Sequence, residues 1–265
     1  TALPQLSRMA VWPPSLHQRR VVIRLHAALL ALFMVSCSTL SPPTLLPETT
    51  AAPITATYVA EGEAEMRFLA LGDSYTIGEA VDPAERWPAQ LTALLREKGF
   101  NVADPQIIAT TGWTTDELSA EIDNANPQGT FELVSLLIGV NNQYRGRDTE
   151  EYRQQFVTLL QRAITFANGS PSRVIVLSVP DWGVTPFASG RNRAAIATEI
   201  DAFNAINKEE ARRAGAHYVD VTPASREAAD DPLLIAADGL HPSAKMYAEW
   251  ARLALPVTCD ALGGR

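Results

Sequence analysis

Short apolar runs alternate with amphipathic segments along most of this chain, from Met66 onward. The apolar runs are rich in Leu, Ile and Val and stop at glycine, proline or short polar residues, which is typical of buried strands. The intervening segments place apolar residues three and four positions apart, which is typical of helices packed on one face. Because strands separated by helices pair in parallel through right-handed crossovers, this alternation predicts an α/β fold.

Five strands and five helices are predicted from the pattern. The strands are Phe68–Leu71, Gln106–Ala109, Phe131–Ile138, Arg173–Val179 and His217–Val221. The helices are Trp87–Lys98, Thr114–Ile122, Asp148–Ala167, Ala194–Ala214 and Ser243–Ala254. Five parallel strands with helices on both faces form a flavodoxin-like three-layer α/β/α sandwich. We therefore expect a single domain over residues 66–265.

The residues before this domain have the layout of an export signal. Residues 1–36 contain four arginines and no acidic residue, and the basic segment His17–Arg24 precedes the largely apolar run Leu25–Val35. This run is shorter than the roughly 20 residues that a helix needs to cross a bilayer. Met34-Val35-Ser36-Cys37 resembles a bacterial lipobox, in which the cysteine is lipidated. Residues 37–65, rich in Pro, Thr and Ala, are predicted to be a tether.

Charge and cysteine content narrow the possible partners and cofactors. Loss of the four arginines of residues 1–36 takes the formal charge from −8 to −12. An acidic domain is poorly suited to binding nucleic acid or the anionic surface of a membrane. We therefore expect no nucleic-acid partner, and membrane contact only through a lipid anchor at Cys37. The other cysteine is Cys259, and a Cys37–Cys259 disulfide is the alternative to lipidation. The pattern indicates no metal site, and we expect an exported monomer, either membrane-anchored or secreted.

Four short segments at predicted strand ends carry residues suited to catalysis. They are Gly72-Asp73-Ser74, Thr110-Thr111-Gly112-Trp113, Gly139-Val140-Asn141-Asn142 and, before the last helix, Asp238-Gly239-Leu240-His241-Pro242. Each segment alone is equally typical of a turn or a helix cap. Because the carboxyl ends of parallel strands share one edge of the sheet, we expect the four segments to lie close together.

These residues match the requirements of acyl transfer. A serine hydroxyl needs a neighbouring base, and His241 is the candidate because His217 falls inside a predicted strand. Asp238, three residues before His241, could orient the imidazole and stabilise its charged form. Donors to an oxyanion could come from the backbone N–H groups of Ser74 and Gly112 and from the side-chain amide of Asn141.

In this order and spacing, the four segments resemble the SGNH (GDSL) hydrolase family over residues 66–256. The resemblance implies ester hydrolysis through an acyl-enzyme, with no metal or organic cofactor. It assigns Ser74 as nucleophile and oxyanion donor, and Gly112 and Asn141 as further donors. It assigns His241 as base and Asp238 as its orienting acid. Two positions depart from the family, with Asn142 where Asp is frequent and Tyr75 where the motif has Leu.

The substrate and the type of reaction remain open at this level. Trp182 and Tyr144, on loops after two predicted strands, are candidate substrate-binding residues, although ordinary packing or exposure would also explain them. The expected substrate is a small or surface-displayed acyl ester, such as a short-chain ester, an O-acetylated sugar or a lysophospholipid. The alternatives are an acyltransferase on envelope glycans that uses the same triad, and a non-catalytic flavodoxin-like binding module.

Overall fold

The computed structural model describes residues 65–263, which form a parallel sheet of five strands with helices on both faces. The strands are β1 (Phe68–Gly72), β2 (Gln106–Ala109), β3 (Leu133–Leu137), β4 (Val174–Leu177) and β5 (His217–Val219). The helices are α1 (Ser74–Ile77), α2 (Trp87–Glu97), α3 (Thr115–Ala125), α4 (Val140–Tyr144), α5 (Thr149–Phe166), α6 (Arg193–Ala214), α7 (Thr222–Arg226) and α8 (Ala244–Ala261).

The strand order is β2-β1-β3-β4-β5, and every neighbouring pair is parallel. This is the flavodoxin-like order, so the predicted fold class is confirmed. Gly72 at the end of β1 pairs with Ala109 of β2 on one side and with Leu137 of β3 on the other. The three strands therefore end in register, and the segments that follow them leave the sheet at one edge.

Side chains alternate between the two faces of the sheet, as the geometry of a strand requires. Phe68 and Ala70 of β1 belong to the cluster that packs against α2 and α8, whereas Leu69 and Leu71 belong to the cluster under α3 and α5. All four side chains are buried. Burial on both faces explains why the strand is a continuous apolar run rather than an alternating one.

The structure contains three short helices that periodicity does not reveal, α1, α4 and α7. Each has four or five residues, too few to show a helical repeat. The last helix is longer than predicted, because α8 continues past Pro256 to Ala261. Its final turns stay packed, with Thr258 fully buried. At the start of α3, Thr114 and Glu117 form a capping box.

The predicted export signal, the lipidation site at Cys37 and the tether lie outside the described residues, apart from the last position of the tether, and stay predictions. The same holds for a disulfide between Cys37 and Cys259, of which only the half-buried Cys259 is described. Within residues 65–263, no helix is both long enough and apolar enough to span a membrane.

Candidate active site

The turn after β1 places Ser74 at the start of α1. The Asp73 side chain caps this helix, since its Oδ1 accepts a hydrogen bond of 3.1 Å from the Tyr75 N–H. Gly72 permits the tight turn, because a Cβ there would lie 2.2 Å from Thr76 Oγ1 and 2.5 Å from the Leu137 carbonyl oxygen. The turn buries most of Ser74, and the residue lies at the wall of a pocket.

Asp73 is fully buried beside the serine. Its Oδ2 has no hydrogen-bond partner among the described residues. Burial disfavours the charged carboxylate and raises the pKa of Asp73 to about 7, although the hydrogen bond from the Tyr75 N–H works in the opposite direction. Asp73 is therefore largely neutral below pH 7, which no sequence pattern indicated.

The loop before α8 holds His241 against Asp238. The ring Nδ1 of His241 lies 2.5 Å from Asp238 Oδ2, and Asp238 Oδ1 accepts hydrogen bonds of 3.0 Å from the N–H groups of Leu240 and His241. Partial burial raises the pKa of Asp238, but the hydrogen bonds from the ring and from the backbone outweigh it, so the pKa lies below its ordinary value. Asp238 is therefore an ionised acceptor at neutral pH.

This loop does not directly follow a strand, unlike the other three segments. Between it and β5 lie α7 and two 3-10 turns. The loop closes on itself through an antiparallel bridge between Ile235 and Pro242, supported by a hydrogen bond of 2.7 Å from the Ala236 N–H to the His241 carbonyl oxygen. Tertiary packing, rather than strand register, thus brings His241 to the edge where Ser74 lies.

The three residues predicted to supply oxyanion donors line one pocket. The backbone N–H groups of Ser74 and Gly112 make no hydrogen bond with any other described residue. Gly112 has a φ of 90°, in the region that favours glycine. The Asn141 side-chain amide donates one hydrogen bond of 2.9 Å to the Trp113 carbonyl oxygen, which orients it and leaves its second N–H available.

Two side chains hold these donor segments together. Arg145 donates to the Gly112 carbonyl oxygen at 2.6 Å and to Glu117 at 3.0 Å. The buried Asn142 accepts a hydrogen bond from the Thr115 N–H at 3.1 Å and donates one to Thr115 Oγ1 at 2.7 Å. Asn142, which departs from the family pattern, therefore ties α4 to the first turn of α3 through two hydrogen bonds.

All the predicted site residues except Asp238 line one pocket, with a cavity volume of about 160 Å³. Its lining residues are Ser74, Tyr75, Thr111, Gly112, Val140, Asn141, Tyr144, Trp182, Phe187, Leu240 and His241. Ser74 and His241 share this pocket without a hydrogen bond between their side chains. His217, the other histidine considered as a base, is the first residue of β5 and so lies at the opposite edge of the sheet.

Two lining residues were not anticipated as parts of the site. Tyr75, which stands where the family motif has Leu, makes an edge-on contact with the His241 ring, with 5.7 Å between ring centroids. The ring centroid of Phe187 lies 5.9 Å from that of Trp182 and 6.2 Å from that of Tyr144. The sequence signal for Tyr75 was its position beside Ser74, whereas Phe187 had no signal, because its loop reaches the pocket only in the folded chain.

The chain matches the GDSL-like lipase/acylhydrolase family over residues 70–249. No curated protein sequence matches the chain at a significant level. The structure of TesA is similar, with a TM-score of 0.57 at 18% identity, over 74% of this chain and 99% of TesA. The lipase/acylhydrolase from Enterococcus faecalis has a TM-score of 0.55 at 21% identity, over 72% of this chain and 94% of that one.

A third similar structure is Axe2, an acetylxylan esterase from Geobacillus stearothermophilus, with a TM-score of 0.52 at 20% identity, over 75% of this chain and 94% of Axe2. At these identities the likeness supports the fold, whereas the family match covers well over half of the chain. The match includes the Gly72-Asp73-Ser74 turn and the Asp238–His241 loop. The chain therefore belongs to the GDSL-like lipase/acylhydrolase family and is a carboxylic ester hydrolase.

Proposed function

We propose that this hydrolase cleaves short-chain acyl esters through an acyl-enzyme, with Ser74, His241 and Asp238 as its catalytic triad. The observation that carries the proposal is the hydrogen-bonded pair of Asp238 and His241 in a loop that lines one pocket with Ser74. With Nδ1 bonded to Asp238, the Nε2 atom of His241 is the nitrogen free to accept a proton.

In the proposed reaction, Ser74 Oγ attacks the ester carbonyl carbon while its proton passes to His241 Nε2. The oxyanion accepts hydrogen bonds from the N–H groups of Ser74 and Gly112 and from the Asn141 amide. The tetrahedral intermediate breaks its bond to the alcohol oxygen, which leaves with the proton from His241. Water then attacks the acyl-enzyme in the same way and releases the carboxylic acid. Asp238 stabilises the imidazolium in both steps.

The pocket supports a short acyl group. Its volume of about 160 Å³ is close to that of a cavity that holds benzene, roughly 150 Å³. The side chains of Val140, Trp182 and Leu240 give it an apolar wall. We therefore propose that Trp182 and Tyr144 contact the substrate, and that activity falls as the acyl chain lengthens beyond what this wall encloses.

The decisive test is hydrolysis of p-nitrophenyl acetate together with labelling by a fluorophosphonate. Ser74→Ala and His241→Ala should each lower kcat by about 10⁴-fold or more, and Ser74→Ala should abolish the labelling. His217→Ala is the matched control and should keep wild-type activity, because His217 lies at the far edge of the sheet. Full activity in Ser74→Ala would refute the nucleophile.

The acyltransferase alternative would use the same residues and differs only in the acceptor. Product analysis with a glycan acceptor separates the two, since a transferase would give acylated glycan in place of free acid. The hypothesis of a non-catalytic binding module is not retained, because the chain belongs to a hydrolase family.

A further inference from the structure

A second pocket adjoins the catalytic pocket and shares two of its walls. It has a volume of about 420 Å³, and Tyr144 and Trp182 line both pockets. The remaining lining residues are Gln143, Gly146, Arg191, Asn192, Ala195, Ile196 and Glu199. The pocket therefore lies between α4 and the first turns of α6. A substrate bound at Ser74 can extend into it past the shared rings.

The lining of the second pocket is mixed, and a larger share of it is polar than in the pocket at Ser74. The Arg191 guanidinium donates one hydrogen bond of 3.0 Å to the Tyr144 hydroxyl, and its other guanidinium N–H groups make no hydrogen bond within the described residues. Glu199 accepts one hydrogen bond of 2.7 Å from Gln143 through Oε2, and no described residue bonds its Oε1. The Asn192 amide also keeps a free N–H₂ group, because only its oxygen is used, by the Ala195 N–H.

An aromatic shelf consisting of Tyr144, Trp182 and Phe187 separates the two pockets. Arg191 lies over all three rings, at 5.1, 5.5 and 5.3 Å from the centroids of Tyr144, Phe187 and Trp182 respectively. A hydrogen bond of 2.8 Å from the indole N–H of Trp182 to the side-chain oxygen of Gln143 fixes the orientation of the Trp182 ring. Tyr144 and Phe187 are 45% and 43% exposed, so a ligand can reach the shelf.

We propose that the second pocket binds the sugar ring of an O-acylated carbohydrate while the acyl group occupies the pocket at Ser74. The proposal rests on the proposed function and names its substrate class. A sugar ring offers many neutral hydroxyl groups, which the free donors of Arg191 and Asn192 and the free oxygen of Glu199 can pair. Its apolar C–H face packs on an aromatic ring.

Charge gives no advantage to a ligand of a single sign. Arg191 and Glu199 are opposite charges in one pocket, so the attraction of an anionic or cationic group to one of them is offset by its repulsion from the other. A long acyl chain is also disfavoured, because it would cover polar groups that could then form no hydrogen bond. A neutral ligand with many hydroxyl groups satisfies both charged side chains.

The test compares two acetate esters in the full chain, methyl 2-O-acetyl-xyloside and cyclohexyl acetate. Both alcohols carry a six-membered ring, and only the xyloside has hydroxyl groups. The wild-type kcat/KM should be at least about tenfold higher for the xyloside, since two or more hydrogen bonds of ordinary strength give this ratio. Arg191→Gln and Asn192→Ser should each lower that ratio by about threefold or more, through KM.

The variants are chosen so that folding does not obscure the result. Ser at position 192 keeps an oxygen that can cap α6, and Arg191→Lys keeps the charge but loses the planar set of donors. Arg212→Gln, at the other end of α6, is the matched control and should leave the ratio unchanged. An unchanged ratio in all variants at positions 191 and 192, or a wild-type preference for cyclohexyl acetate or lysophosphatidylcholine, would overturn the proposal. Full p-nitrophenyl acetate hydrolysis by Ser74→Ala would instead refute the proposed function.

Discussion

At the scale of single residues, Asp73 shows how burial changes a side chain that the sequence presents as an ordinary turn residue. Its Oδ1 caps the helix that begins at Ser74, while its Oδ2 is buried without a partner among the described residues. The raised pKa of about 7 means that the folded state holds the proton more tightly than the unfolded chain, for which the ordinary value is 3.8.

Asp73→Asn should remove a pH dependence of stability. In the wild type, this carboxyl stabilises the fold fully below about pH 4, and the contribution is lost as the pH rises through about 7. Asn keeps the acceptor for the Tyr75 N–H and cannot ionise. The unfolding free energy of the variant, relative to the wild type, should therefore rise between pH 4 and pH 8, by up to roughly 4 kcal/mol.

Urea unfolding at several pH values measures this difference. The exposed Asp230 provides the control, and Asp230→Asn should show a much smaller trend. A constant difference between Asp73→Asn and the wild type over this range would mean that Asp73 is ionised in the fold.

At the scale of elements, the site depends on short helices that are held by side chains rather than by their own length. An isolated helix of five residues is unstable, so α4 needs tertiary support. Asn142 and Arg145 supply it by joining α4 to Thr115 and to the Gly112 loop. The sequence could predict Asn141 and Gly112 as site residues because each follows a strand. It could not predict the hydrogen bonds that hold these segments in place, because Asn142 is 27 residues from Thr115 and Arg145 is 33 residues from Gly112.

Asn142→Ala should reduce both stability and activity. The substitution leaves the buried Thr115 N–H without its acceptor, which costs about 1–3 kcal/mol. Because Asn141 is adjacent, we expect kcat for p-nitrophenyl acetate to fall by about tenfold or more, with a smaller change in KM. Asn124→Ala, at an exposed position of α3, serves as the control. Unaltered kcat in a folded Asn142→Ala protein would show that α4 does not depend on this contact.

At the scale of the whole molecule, the two hydrophobic clusters explain why one sheet can support the site. Within residues 65–263, the two clusters pack on opposite faces of the sheet. Buried apolar side chains on both faces fix β1 between β2 and β3, and this register aligns the strand ends that carry Ser74, Gly112 and Asn141.

A fragment of residues 65–265 should therefore fold by itself. We expect its thermal unfolding midpoint to lie within a few degrees of that of the full chain, and its p-nitrophenyl acetate activity to match. Calorimetry and the ester assay check this. A fragment of residues 74–265, which lacks β1, should not fold, because it removes the strand that pairs with both β2 and β3. An unfolded fragment of residues 65–265 would contradict the predicted domain boundary.

The sequence by itself determined the α/β class, the alternation of parallel strands with helices, and the residue types that follow the strands at one edge of the sheet. It did so because periodicity, glycine stops and strand ends are local properties of the chain. Only the tertiary structure decided that the Asp238–His241 loop reaches Ser74, that Asp73 is buried, and that Phe187 and Arg191 join Tyr144 and Trp182. These depend on burial and on contacts between residues far apart in the chain, which local patterns do not encode.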